Sequence, residues 1–201
     1  MPPLLLAMRN SSWLRWSRYL FFVIGTLLLI YVVFSLLETK LYQDNQSQVL
    51  DQALQEAPAA RAESPGTANR EGALLGRIKI NAIGLSAIIQ EGVADTTLRH
   101  AVGHIPGTPP LGQGGNIGLA AHRDTFFRGL RNIRLNDEIT LTTVSGNFRY
   151  RVASTQVVAP EDTKVLDDAA GNILTLVTCY PFNFVGSAPK RFIVRAYKFP
   201  G

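Results

Sequence analysis

The pattern of apolar and polar positions changes texture twice along the chain. Tyr19–Leu37, YLFFVIGTLLLIYVVFSLL, runs nineteen residues without a charge. That length crosses a bilayer as a helix. Glu38–Glu56 then scatters Leu41, Val49, Leu50, Ala53 and Leu54 among polar residues, which predicts a weakly amphipathic stalk helix. Ala57–Gly72 is rich in Ala, Pro, Glu, Ser and Gly and reads as a linker. From Ala73 onward, short β-like runs alternate with Gly, Pro and Asn. They are Gly76–Ile80, Leu85–Gln90, Asn116–His122, Glu138–Val144, Phe148–Val158, Ile173–Cys179 and Arg191–Tyr197. Ser145-Gly146-Asn147 predicts a hairpin turn between two of them, and only Thr96–His104 and Thr125–Leu135 carry a helical pattern. Many short strands with few helices predict a mainly β fold, a closed or nearly closed barrel.

Charge sharpens the division. Arg9, Arg15 and Arg18 precede the apolar run with no acid among them, so the N-terminus is expected on the cytoplasmic side. Glu38, Thr39 and Lys40 follow it and offer no small-residue cleavage site, which predicts an uncleaved signal anchor. Trp13, Trp16 and Tyr19 suit the membrane interface. The expected organisation is a cytoplasmic N-terminus over 1–18 and a transmembrane anchor over 19–37. An extracytoplasmic stalk and linker over 38–72 and a barrel over 73–201 follow. The stalk is expected to stand outside the barrel, so that removing residues 1–57 leaves a folded soluble domain. The net charge of +5 is spread without a long basic run or an interleaved aromatic and basic motif, which argues against nucleic-acid binding.

Cys179 is the chain's single cysteine. It cannot form an intramolecular disulfide, and outside the cytoplasm such a residue is a candidate reactive thiol. It ends the run ILTLVTC, and after a turn-rich loop Arg191 starts the next strand-like run. Two strands joined by a short loop are most simply antiparallel, which puts thiol and guanidinium at one sheet edge. His122 ends NIGLAAH in the same way. If those two strands lie parallel, His122 emerges beside Cys179. The three residues then divide the work of acyl transfer. Cys179 is the nucleophile, His122 the proton carrier, and Arg191 a donor to the oxyanion or to the substrate backbone. The plainer alternative is a buried core cysteine. Thr178 is a candidate substrate-binding residue through its backbone or hydroxyl, or an ordinary strand threonine. Asp124 can pair with Arg123 or orient the loop. Arg128, Arg131 and Arg134 read as a solvated helix face. His100 and His104 are four apart, but no ligand set completes a metal site, and no cofactor is expected. Arg195 faces the same way as Arg191 but farther from the strand end.

The block NIGLAAHRDTFF, the block TLVTCY and Arg191, in that order, resemble the sortase family, with GHIPGTPPLGQGGN leading in. The resemblance covers Leu75–Tyr197, and TCYPF is most similar to the class D group. It implies an eight-stranded barrel with short helices, anchored in a bacterial cytoplasmic membrane by a single N-in helix. It implies His122, Cys179 and Arg191 as catalytic residues. It further implies cleavage of a C-terminal LPxTG-like sorting motif of a secreted protein, through a thioacyl intermediate. The acyl group passes to an amine acceptor in the cell envelope or on a protein lysine. A peptidase using water, and a catalytically silent envelope-binding module, are the competing readings. Residues 38–75 lack the Asp-Pro-aromatic plug of pilin-polymerising relatives, so an open, unlidded site is expected.

Overall fold

The computed structural model describes residues 11–60, 70–167 and 171–200. The chain forms two compact units that part between Leu41 and Tyr42. Helix α1 (Ser11–Ala60) is uninterrupted, so the apolar span and the stalk are one helix. In the first unit, its side chains from Tyr19 to Leu37 are largely unpacked, and the segment is long and apolar enough to cross a membrane.

The second unit is a closed barrel of eight strands. These are β1 (Leu74–Ile80), β2 (Leu85–Glu91), β3 (Val102–His104), β4 (Gly115–Ala120), β5 (Glu138–Thr143), β6 (Gly146–Val158), β7 (Asn172–Tyr180) and β8 (Lys190–Lys198). Around the barrel they run β1-β2-β3-β4-β7-β8-β6-β5, with β5 closing on β1. Only β2/β3 and β4/β7 are parallel. Strand alternation sends Ile117 and Leu119, Leu174 and Leu176, and Val194 and Ala196 into the core with Ile78, Ile80 and Ile139. The opposite positions on β4, β7 and β8 therefore form the outer face.

Three expectations change. The segment Thr96–His104 is not one helix: α2 (Asp95–His100) stops and β3 begins at Val102. A Cβ on Gly103 would stand 2.2 Å from the Gly92 carbonyl oxygen, so glycine lets β3 lie close to the end of β2. The hairpin turn falls on Val144 and Ser145, one residue early, because Thr143 pairs with Gly146. The stalk does not stand clear of the barrel. Gln43 accepts from the Ile88 N–H at 3.0 Å and donates through Nε2 to the His100 carbonyl. Gln90 donates to the Tyr42 hydroxyl at 2.7 Å, Arg77 pairs with Asp51 at 3.1 Å, and Leu50 is buried. The helix from Tyr42 to Leu54 thus covers β1, β2 and α2, three elements that do not carry the candidate site. The linker's end also joins the sheet: Gly72 N–H donates to Glu91 O and Glu91 N–H to Ala73 O. Of the stretch expected to lack a plug, residues 61–69 lie outside the described residues.

Two predictions follow from this packing. A chain starting at Tyr42 is expected to melt higher than one starting at Pro58. Gln43→Ala should destabilise by about 1–3 kcal/mol, since it strands the Ile88 N–H. Equal melting of the two truncations would show the docked helix to be idle. Tyr150 supplies the other prediction. Its hydroxyl is buried without a partner among the described residues, and burial pushes the phenol up to about 12 from 10.0. Because burial disfavours only the ionised phenolate, the shift costs nothing below pH 10 and lowers stability as pH rises from there towards the folded value. Tyr150→Phe should therefore melt no lower near neutral pH and resist alkaline unfolding better, read by circular dichroism. A lower melting point near neutrality would mean that the hydroxyl has a partner.

Candidate active site

The site is set by register. β4 and β7 pair in parallel from Gly115↔Asn172 to Ala120↔Val177. The ladder carries on, with Ala121 N–H donating to Val177 O at 3.3 Å. Two residues past the last pair on each strand stand His122 and Cys179. On the other side of β7, Cys179 pairs directly with Arg191 of β8. Cys179 and Arg191 thus form a row on β7 and β8, and the parallel register, carried two residues past the end of β4, brings His122 level with them. By alternation Cys179 and Arg191 lie on the outer face, and all three residues are half-buried. The His122 carbonyl accepts from Phe127 N–H at 3.2 Å, where the 3₁₀ turn Phe126–Asn132 begins, and this fixes the backbone just past β4.

Thr178 is 2 % exposed and turns inward. Its hydroxyl donates to Ala121 O at 2.8 Å, which ties β7 to β4 beneath the row and commits the hydroxyl away from the outer face. Next to it, Tyr180, Phe182 and Phe192 cluster with ring centroids 5.3 to 6.2 Å apart, Tyr180 stacked on Phe192 and Phe182 edge-on to both, and Phe182 and Phe192 pack on the core. This aromatic cluster anchors both ends of the β7–β8 loop.

The loop itself is held by two arginines. Arg191 Nη1 donates to Ala188 O at 3.2 Å and to Lys190 O at 3.0 Å. A guanidinium has five N–H donors, and both of these bonds leave from one nitrogen. Arg123 Nη2 donates to Phe184 O at 2.6 Å and to Gly186 O at 3.0 Å. Arg123 therefore binds the loop and not its neighbour Asp124, which is exposed.

The family model of the Sortase domain matches residues 78–199. The chain belongs to the sortase family. It is 35% identical over 120 residues to sortase D of Bacillus subtilis strain 168, an alignment covering 59% of this chain and 61% of that one. It is 29% identical over 181 residues to sortase SrtE1 of Streptomyces coelicolor, covering 81% of this chain and 51% of the relative. The chain thus spans about half to three fifths of these two relatives. The structure of the sortase D5 transpeptidase of Clostridium perfringens superposes with a TM-score of 0.65 at 26% identity, covering 80% of this chain and 98% of that one. The class D names agree with the reading of TCYPF, and the closed barrel is the fold of these sortase structures.

The remaining candidates in this sortase have structural partners. His104 is buried, with Nδ1 2.9 Å from Glu91 Oε2 and Nε2 3.0 Å from Pro109 O. His100 packs its ring on Tyr42 at 5.0 Å. The two histidines do not converge, and no group of metal-ligating side chains occurs among the described residues. Arg195 sits opposite Thr175, four residues from Arg191, and its Nη2 donates to Val165 O at 2.9 Å. Arg128, Arg131 and Arg134 are exposed, as a solvated face requires. Sequence reasoning missed the clamp made by Arg123 and the docking by Gln43. Their partners are backbone groups of distant residues, which leave no mark in the sequence.

The half-buried position of Cys179 on the outer face makes a direct prediction. A small charged thiol reagent should modify it in the native protein, with one adduct by mass spectrometry. Modification only after denaturation would place the thiol in the core.

Proposed function

We propose that this sortase is a membrane-anchored cysteine transpeptidase in which Cys179, His122 and Arg191 carry the reaction. The observation that supports this reading is the direct pairing of Cys179 with Arg191 beside the parallel β4–β7 register that runs on to His122. Sortases act on proteins with LPxTG-type sorting motifs, and a substrate of that kind laid along the outer face brings its scissile carbonyl to the row. Cys179 Sγ bonds to the carbonyl carbon, and the carbonyl oxygen takes up the electron pair. Arg191 donates to that oxyanion or to the neighbouring substrate backbone. His122 delivers a proton to the departing amine, so the C–N bond breaks and a thioester remains. An incoming amine then loses its proton to His122, attacks the thioester and releases the thiolate. The acceptor is an envelope amine or a protein lysine. With the apolar helix in the membrane and its arginines inside, the barrel acts outside the cytoplasm.

The test uses the full chain in detergent with a fluorogenic LPxTG-type peptide and an amine. Ligated product is expected. Hydrolysis alone would make water the acceptor, and no turnover at all would leave a binding module. His122→Ala and Cys179→Ala should abolish turnover with the fold intact. Arg191→Lys should lose on the order of 10²–10³ in rate, the usual cost of an oxyanion donor. Lysine keeps the charge but not the planar fork. Arg195 lies roughly 13 Å along the strand from the row, so Arg195→Lys should stay within a few-fold of the parent. A crippled Arg195→Lys beside a near-native Arg191→Lys would overturn the assignment.

A further inference from the structure

We infer that Arg123 is a positioning residue of this site, holding the β7–β8 loop so that Cys179 and Arg191 keep their places at its two ends. The inference rests on the transpeptidase reading for its functional meaning, and on the loop's own anatomy for its physical basis. Between Phe182 and Phe192, both anchored on the core, the loop has no buried apolar side chain. Phe184 is 44% exposed and Val185 is 95% exposed. Gly186 has a left-handed φ of 99°, and a Cβ placed there would meet nothing within 4 Å. Apolar burial therefore cannot order this stretch. What the loop offers are its carbonyls, and alternate ones are captured by the two guanidiniums. Phe184 O and Gly186 O go to Arg123, and Ala188 O and Lys190 O go to Arg191.

Of the two, Arg123 is the one that reaches in from outside the β7–β8 hairpin, from the turn that follows β4. It directly follows His122, so its bonds tie the end of β4 to the loop that joins β7 to β8. All three residues are then linked through one side chain: His122 by the chain, Cys179 and Arg191 through the loop. Hydrogen bonds from a charged donor are among the stronger ones, and a planar fork reaches two carbonyls where an ammonium meets one well. The Nη1 of Arg123 is also buried, without an acceptor among the described residues.

The experiment compares Arg123→Ala, Arg123→Lys and the control Arg128→Ala in the full chain in detergent. Arg128 is an exposed arginine on the following 3₁₀ turn, and its loss removes the same charge without touching the clamp. Three readouts are taken: amide exchange of residues 182–190, the rate of Cys179 alkylation, and kcat and KM on the peptide. Arg123→Ala should speed exchange in that loop on the order of tenfold while the barrel strands stay protected. It should lower kcat on the order of 10–100-fold with a smaller change in KM, as misplaced reacting groups do. Arg123→Lys should fall between, and Arg128→Ala should match the parent. Unchanged loop exchange in Arg123→Ala overturns the clamp. Faster exchange with an unchanged kcat leaves a structural tie and overturns the positioning role. If the parent turns over no peptide, the transpeptidase reading fails. Exchange and alkylation rates then still decide whether Arg123 orders the loop around Cys179.

Discussion

The parallel pairing of β4 with β7 is the constraint on which the rest depends. Parallel neighbours cannot be joined by a tight turn, so the chain leaves at His122 and travels through β5 and β6 before returning as β7. The reward is that two C-terminal strand ends finish at one edge of the barrel. A slip of one residue would move His122 off the level of Cys179 and exchange the faces of the strand. Both ends of the pairing are pinned against this. At the site end, Thr178 Oγ1 binds Ala121 O. At the far end, Thr175 Oγ1 donates to Asn116 Oδ1 at 2.6 Å, and Asn116 Nδ2 donates to Val165 O and Asp167 O. Asn116 and Thr175 are fully buried although they lie on the outer face, because the turn Thr163–Leu166 covers them. Polar groups buried in this way need their partners in place, which makes the register specific as well as stable.

The barrel and the loop are held by different physics. The strands owe their places to alternation and a filled interior, where Ile117, Leu119, Leu174 and Leu176 are completely shielded or nearly so. The β7–β8 loop has no such filling beyond its aromatic ends. It is shaped by donors reaching for carbonyls. The docked segment of α1 works in the same way at the opposite side of the fold, with Gln43 supplying one acceptor and one donor to backbone groups that strands and helix leave open.

These two modes mark what could be read from the sequence. The pairing of Cys179 with Arg191, and the parallel strand that leads to His122, were legible because each residue closes or opens an apolar run. The order of those runs then suggests the shared edge. The seven longer strands were legible for the same reason. β3 was not, since Val102–His104 is three residues long and continues a helical spacing from Thr96; its strand pairing is decided by the close approach that Gly103 permits. Gln43 and Arg123 were illegible in principle. A glutamine on a helix and an arginine after a histidine have many possible partners, and the ones they take are backbone atoms far along the chain. Among the described residues of the stalk one apolar side chain, Leu50, is deeply buried, too thin a stripe to signal docking against a barrel.

The choice of carbonyls as partners for the two arginines has an electrostatic consequence. Among the described residues neither Arg123 nor Arg191 is ion-paired with a carboxylate. A carboxylate would hold a guanidinium equally well but would cancel its charge. A carbonyl fixes the group's position and leaves the net positive charge standing. Near a protein surface a unit charge at 4 Å is worth about 4 kcal/mol before desolvation is counted, so the difference is large on the scale of a catalytic barrier. Acyl transfer creates an anion twice, once on the way into the thioester and once on the way out. Under the proposed mechanism, an Arg191 kept ordered yet unneutralised is prepared for that charge before it forms, and no reorganisation of partners is then needed at the moment of reaction. On that proposal, the hydrogen bonds that order the loop and the field offered to the oxyanion are two outcomes of one arrangement. A substitution that supplies a carboxylate to Arg191 would keep the loop in place while removing the field.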